Sequence, residues 1–234
     1  MAVRSECRSG LGDRRRRAAR TPGARGAGGG WRTIVAGGPV TEADHPRVEV
    51  TRREELRAWL EANHDRSGSI WLVTYKAADP VRHVPYDVVI EEALCFGWID
   101  SLPRKFDEAR SMLRLSPRKP GSAWSALNKQ RVKRLQASGL MAPAGLSVVE
   151  AAKADGSWSF LDDVEAGIIP DDFAAALNAL EPARAEFEKF PRSVRRGLLE
   201  WIKQAKTEQT RARRIADTAR LAQRGERANQ FRKR

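Results

Sequence analysis

The loop Ser116-Pro-Arg118-Lys119-Pro-Gly121-Ser122 carries two adjacent cations on a stiff backbone, just ahead of a helix start. Arginine, lysine and free backbone N–H groups in such a place can hold an anion or a phosphate. The alternative is a surface turn with solvated charges. The helix that follows is read over 124–137. At 100° per residue it sets Trp124, Leu127, Asn128, Arg131 and Leu135 on one face, with Lys129 and Lys133 on the other. Asn128 and Arg131 are then polar groups on an apolar stripe, and buried polar groups need partners. They either tie the helix to strand backbone or Asp100, or line a pocket with Trp124. Asp100 ends the apolar run Trp98-Ile99, with Arg131, Arg118 and Lys76 as candidate partners. A lone carboxylate near cations is usually a structural ion pair. Acid–base work would need a second group in reach.

Other chemistry is poorly supported. The run Gly26-Ala-Gly28-Gly-Gly30 has no strand before it and no apolar helix after it, so it is not a dinucleotide loop. Neither G-x-x-x-x-G-K-[ST] nor G-x-S-x-G occurs. Cys95, between Leu94 and Phe96, reads as a small buried hydrophobe. Cys7 and Cys95 alone build no disulfide framework and no cysteine zinc site, and His45, His64 and His83 are scattered. Neither a metal nor a cofactor is expected.

The elements that position these residues are legible in the patterning. Thr51-Arg-Arg-Glu54 is a capping box followed by Leu56, Trp59 and Leu60 at helical spacing. Residues 69–76 (SIWLVTYK) read as a strand. A helix over 86–96 ends at Gly97. Short strands are expected at 98–102 and 111–116, around a charged turn at 104–110, and a helix at 145–154. From Pro170 the pattern is helical. Phe173, Ala176, Leu177 and Leu180 share one face. A short helix spans 182–190, and Ser193 caps the next, which presents Val194, Leu198, Ile202 and Ala205. Ile215, Ala219 and Ala222 line the last. The fold class is therefore α+β: a small mixed α/β part with short antiparallel strands over 46–160, then an all-helical module over 168–225.

The chain of 234 residues has a net charge of +13, unevenly spread. Residues 1–32 hold nine arginines against Glu6 and Asp13, and residues 203–234 hold eleven cations against three acids. The body between is close to neutral. Residues 1–45, Arg- and Gly-rich with little to bury, read as a disordered tail, and 226–234 as a basic one. Arg14–Arg17 lead into no clean apolar run, so the start reads as a solvated tail rather than an export signal. No stretch approaches the roughly 20 apolar residues of a membrane helix. No membrane insertion is expected, and cysteine usage fits a reducing cytoplasm.

Several strings together resemble one bacterial family, the bacteriocin-protection, YdeI or OmpD-associated proteins. They are Trp71-Leu-Val-Thr-Tyr-Lys76, Glu91-Glu-Ala-Leu-Cys-Phe-Gly-Trp-Ile-Asp100, Ser116-Pro-Arg-Lys-Pro-Gly-Ser-Ala-Trp-Ser-Ala-Leu-Asn128 and Pro143-Ala-Gly-Leu146, with 199–206 and 210–215 completing the set. The resemblance runs over about 46–225. It implies a cytoplasmic protein tied to bacteriocin tolerance, with no established catalytic residue or cofactor. Its motif positions here are Lys76, Trp98, Asp100, Arg118, Trp124, Ser125 and Asn128, and these are expected to converge on one small ligand-binding pocket.

Three readings follow. The first is a non-enzymatic stress or bacteriocin-tolerance protein that binds a small anionic ligand or a protein partner. The second is weak, nonspecific nucleic-acid binding through the basic ends; these carry few aromatics and no recognised motif. The third is an enzyme using Asp100 with Lys76 or Ser125 as an acid–base pair.

Overall fold

The computed structural model describes residues 31–34 and 45–229, so most of the tails read at 1–45 and 226–234 lie outside the described residues. Arg32–Ile34, within the first of those tails, forms strand β1. Strand β2 (Arg47–Glu49) leads into helix α1 (Arg53–Asn63) and strand β3 (Ile70–Tyr75). Because a helix crosses between them, β2 and β3 pair in parallel. The sheet is therefore mixed rather than purely antiparallel. Helix α2 (Tyr86–Cys95) precedes strands β4 (Trp98–Lys105) and β5 (Arg110–Pro117). The five strands lie in the order β1-β2-β3-β5-β4. β3 is central and buried from Ile70 through Val73, which explains its unbroken apolar run.

β4 and β5 extend past the strands expected at 98–102 and 111–116, so the turn shrinks to 106–109. Asp107 makes the longer hairpin possible. Its Oδ1 accepts the Ala109 and Arg110 amides at 3.0 and 2.7 Å, an Asx-type turn that needs few residues. Pro103 sits on this edge strand, beside a register shift after Asp100.

Helix α3 (Ala126–Ala137) and helix α4 (Pro143–Ala154) complete the first unit. Its core joins Leu56 and Leu60 of α1, Ile90 and Leu94 of α2, and Leu72 and Leu115 of the sheet. α3 starts two residues after Trp124, capped by Ser125, whose Oγ accepts the Asn128 amide at 3.3 Å. Trp124 therefore does not follow the helical phase. The buried residues of α3 are Arg131, Val132 and Leu135, and Leu127 is 56% exposed rather than on the inner face.

Two caps differ from the sequence reading. The Thr51 box closes on Glu55, not Glu54: the Thr51 amide donates to Glu55 Oε2 at 2.7 Å, and the hydroxyl donates to it at 3.1 Å. Glu55 is buried and Glu54 exposed, because α1 begins at Arg53. Ser193 lies inside its helix, which starts directly after Pro191.

The second unit is helical throughout: α5 (Asp162–Ala166), α6 (Asp171–Asn178), α7 (Ala183–Lys189), α8 (Arg192–Lys203) and α9 (Glu208–Ala222). It has its own core, in which Phe173 and Leu177 meet Phe187, Leu198, Ile202, Ile215, Ala219 and Ala222. Ala205 lies beyond the end of α8. Among the described residues, no helix is long and apolar enough to cross a membrane.

Candidate functional site

The site is built where α2 turns into the sheet. Gly97 takes φ +72° and reverses the chain, a conformation glycine adopts without penalty. Its carbonyl accepts the Arg118 amide at 2.9 Å, which fixes the start of the cationic loop at the end of β5. The loop then folds over α4, and the Gly121 amide donates to Asp155 Oδ2 at 3.1 Å. Inside it, the Arg118 side chain bends back. Its Nη2 donates to the Ala123 carbonyl at 2.9 Å, and the guanidinium lies 3.7 Å from the Trp124 ring centre. Trp158 packs at 5.0 Å against Trp124.

Arg118 is only 7% exposed and Trp124 1%. Arg118 Nε and Nη1 and Trp124 Nε1 are all buried without a hydrogen-bond partner among the described residues. No carboxylate pairs with this guanidinium there. Burial pushes it down to about 10 from its ordinary 12.5, and the more distant Asp100 opposes that only in part. At 1.36 kcal/mol per factor of ten, burial works against the charge by roughly 3 kcal/mol. The guanidinium thus keeps three N–H donors unused in a desolvated position.

The cleft beside it holds about 70 Å³, lined by Arg118, Ser122, Trp124, Val148, Asp155 and Ser157 among others. That is roughly two water volumes. A carboxylate or a single phosphate group fits, and a nucleotide could enter only by its head. Asp155 adds a negative charge at the rim; the Ser157 hydrogen bonds, with the Gly121 amide, hold its carboxyl below the usual range. The rim thus favours a monoanion over a dianion.

Beside the cleft runs a separate polar network. The Tyr86 hydroxyl donates to Asp100 Oδ2 at 2.7 Å. Burial, with the Asp100 hydrogen bond, pushes the Tyr86 phenol up to about 12. Arg131 donates to Asp87 at 2.5 Å and to the Asn128 side-chain oxygen at 2.9 Å. Asn128 and Arg131 therefore tie α3 to α2, not to strand backbone or Asp100. Asp100 takes none of its expected cations as a direct partner; the phenol reaches it first.

Of the seven expected site residues, Asp100, Arg118, Trp124, Ser125 and Asn128 gather at one end of the sheet. Trp98 lies beneath them in the core, edge-on to Trp59 at 5.8 Å, with its indole N–H donating to the His64 carbonyl at 3.3 Å. Lys76 is at the other end. Its Nζ donates to the Asp107 and Glu108 carbonyls at 3.1 and 2.7 Å, clamping the β4–β5 hairpin. In the sheet register, Asp100 stands opposite Leu115 and Ile70, six residues of strand from Lys76. That is about 20 Å. Asp100 and Lys76 are therefore too far apart to act as an acid–base pair. Ser125 is occupied as a helix cap. Among the described residues, no group of three or more His, Cys, Asp or Glu is placed to hold a metal.

The sequence reading missed Trp158, Asp155 and Ser157. Asp155 caps the end of α4 and Ser157 and Trp158 follow the turn at Gly156, and the packing of α4 on α2 brings them to Arg118. Cys95 is fully buried, and burial, with the nearby Glu92 charge, pushes its thiol up to about 11. With Cys7→Ser in place, the native chain should show almost no reaction with a disulfide reagent at pH 8. One thiol should appear on unfolding. Rapid native labelling would show that the α2–α4 contact opens readily.

Comparison with known proteins divides the chain as the cores do. Residues 48–148, the sheet with its helices, match the family model described as a domain of unknown function (DUF8412). No curated protein and no solved structure matches the chain. Residues 166–225, the helices α6 to α9, match the family model described as bacteriocin-protection, YdeI or OmpD-associated, and on that part of its length the chain carries a domain of this family.

Proposed function

We propose that this is a non-enzymatic binding protein in bacteriocin or stress tolerance, acting in the cytoplasm. Its first unit takes the carboxylate of a small ligand or of a partner segment in the Arg118–Trp124 cleft. The observation that carries this reading is the buried, unpaired guanidinium of Arg118 beside a second orphaned donor, Trp124 Nε1. Nucleic-acid binding through the basic C-terminal block has less support. Arg211 pairs with Asp172 at 2.7 Å, Arg220 pairs with Asp217 at 3.0 Å, and Arg214 donates to the Trp201 carbonyl.

Arg118→Met tests the reading, because its stability terms nearly cancel. Removing the buried charge gains roughly 3 kcal/mol. Losing the desolvated cation–π contact costs about 2, and losing the hydrogen bond to Ala123 about 1. The variant should melt close to the wild type. In ¹⁵N spectra, acetate should shift the Trp124 indole resonance of the wild type, assigned through Trp124→Phe, and inorganic phosphate should do so more weakly. In Arg118→Met the acetate response should disappear. An unshifted indole in the wild type, or an acetate response that survives Arg118→Met, would overturn the assignment.

A further inference from the structure

A second cavity, in the helical unit, has a different chemistry and depends on none of the residues above. It holds about 220 Å³ between α5, α7 and α8. Its floor is apolar: Val164, Ile169, Phe187 and Leu199. Its mouth carries Arg192, Arg195 and Arg196, all from the first turns of α8. Glu165 also lines it, but its charge is spent. Arg196 donates to Glu165 Oε1 at 3.0 and 2.8 Å, and the Ala126 amide donates to the same oxygen at 3.2 Å. That pairing holds the Glu165 carboxyl below its ordinary range and the Arg196 guanidinium above its own. Arg196 also takes Glu200 at 2.8 Å.

Arg192 and Arg195 have no carboxylate ion pair of their own among the described residues, and against Glu165 and Glu200 the three arginines leave one surplus positive charge. Arg192 makes one long contact, 3.4 Å, to the Glu165 carbonyl. Arg195 has no carboxylate partner among the described residues, and its Nε is buried without a hydrogen bond. A surplus guanidinium at the mouth of a cavity with Val164, Ile169, Phe187 and Leu199 among its lining matches one kind of molecule: an acid with a hydrocarbon tail. The cavity is roughly seven water volumes, enough for a short chain but too small for a long fatty acid. The geometry points to a binding site in the α5–α8 cavity for a short-chain apolar carboxylate, its head on Arg195 and Arg192 and its tail on Phe187 and Leu199.

The test uses the full chain and a series of acetate, butyrate and hexanoate at constant ionic strength, followed by calorimetry and ¹⁵N spectra. Burying a methylene is worth about fourfold in Kd. The α8 site should therefore tighten about sixteenfold from acetate to butyrate and further to hexanoate. The 70 Å³ cleft at Arg118 has no room for such a gain, and Arg118→Met should leave the hexanoate response intact. Arg195→Gln should weaken hexanoate at least tenfold. Arg192→Gln, at an exposed side chain with one weak contact, should weaken it several-fold even if Arg195→Gln fails to fold. Hexanoate no tighter than acetate overturns the site, as does hexanoate binding unchanged in both arginine variants. Loss of the acetate response at Trp124 alone would instead count against the Arg118 reading only.

Discussion

Gly145→Ala should lower the stability of the chain by about 2–3 kcal/mol, even though the substitution improves helix propensity. In an open helix position, alanine gains about 1 kcal/mol over glycine. At Gly145 a Cβ would stand 2.2 Å from the Cys95 carbonyl oxygen and 2.8 Å from that of Leu94. Those are backbone atoms at the end of α2, and no side-chain rotation relieves them. α4 would have to move away, breaking the Ala142 amide bond to the Cys95 carbonyl, now 3.0 Å. Overpacking usually costs about 1–3 kcal/mol, and more where backbone must shift. The clash therefore outweighs the propensity gain. For a chain of this size, the loss is a melting shift of about 5–10 °C.

The matched control is Gly197→Ala in α8. A Cβ there meets nothing within 4 Å, so the same change should stabilise by up to about 1 kcal/mol. Opposite signs for the two variants would establish the close approach of α4 to α2. A stabilised Gly145→Ala would disprove it. The site should feel the same displacement, since Val148, Ala151 and Ala152 of α4 wall the Arg118 cleft. Acetate binding should weaken in Gly145→Ala and stay unchanged in Gly197→Ala.

That contact also shows how much was legible in the residues alone. Gly97 as a helix stop, β3 as an apolar run and the Ile215-Ala219-Ala222 line of α9 all follow from local patterning. So does the division into a mixed unit and a helical one. The strand β2 was missed because three residues give no periodicity, and β1 lies in a stretch read as tail. The parallel β2–β3 pair depends on where α1 lies, which is a matter of packing. At the site, the loop around Arg118 stood out by its cations, but its second wall did not. Lys76 and Arg118 both sit in the family strings, and both are candidate partners of Asp100 in the sequence. Strand geometry separates them, since Lys76 is at the hairpin end of the sheet. Arg195 gives no signal among forty-three cations, and only its buried, unbonded Nε and the lack of a carboxylate partner among the described residues single it out.

The double variant Arg53→Met, Arg57→Met should lose about 3–5 kcal/mol, because it strands the carboxylate of Glu92. Glu92 is fully buried on α2. Arg53 Nε reaches Glu92 Oε1 at 2.6 Å, and Arg57 Nη1 reaches Oε2 at 3.1 Å. Both arginines are about one-third exposed, so water can solvate them, and among the described residues they are the side chains that donate to this carboxylate. Breaking a buried pair from the side that leaves the buried charge unpaired is the costly direction. Each single variant keeps one arginine and should lose only about 1–2 kcal/mol, in the range of one hydrogen bond to a charged group. Adding Glu92→Leu to the double variant removes the stranded charge at similar volume. It should recover most of the loss, since apolar packing often replaces a buried ion pair without net cost. Glu91 remains paired with Arg134 at 2.5 Å in every variant. Denaturant melts of the wild type, the two single variants, the double and the triple decide the matter. A double variant within about 1 kcal/mol of the wild type would show that α1 and α2 are held by their apolar contacts alone, and a triple no better than the double would show that the loss does not come from a stranded charge. If the rescue holds, these arginines fix the position of α2. It is α2 that places Gly97, and Gly97 whose carbonyl fixes the Arg118 backbone beneath its unpaired guanidinium.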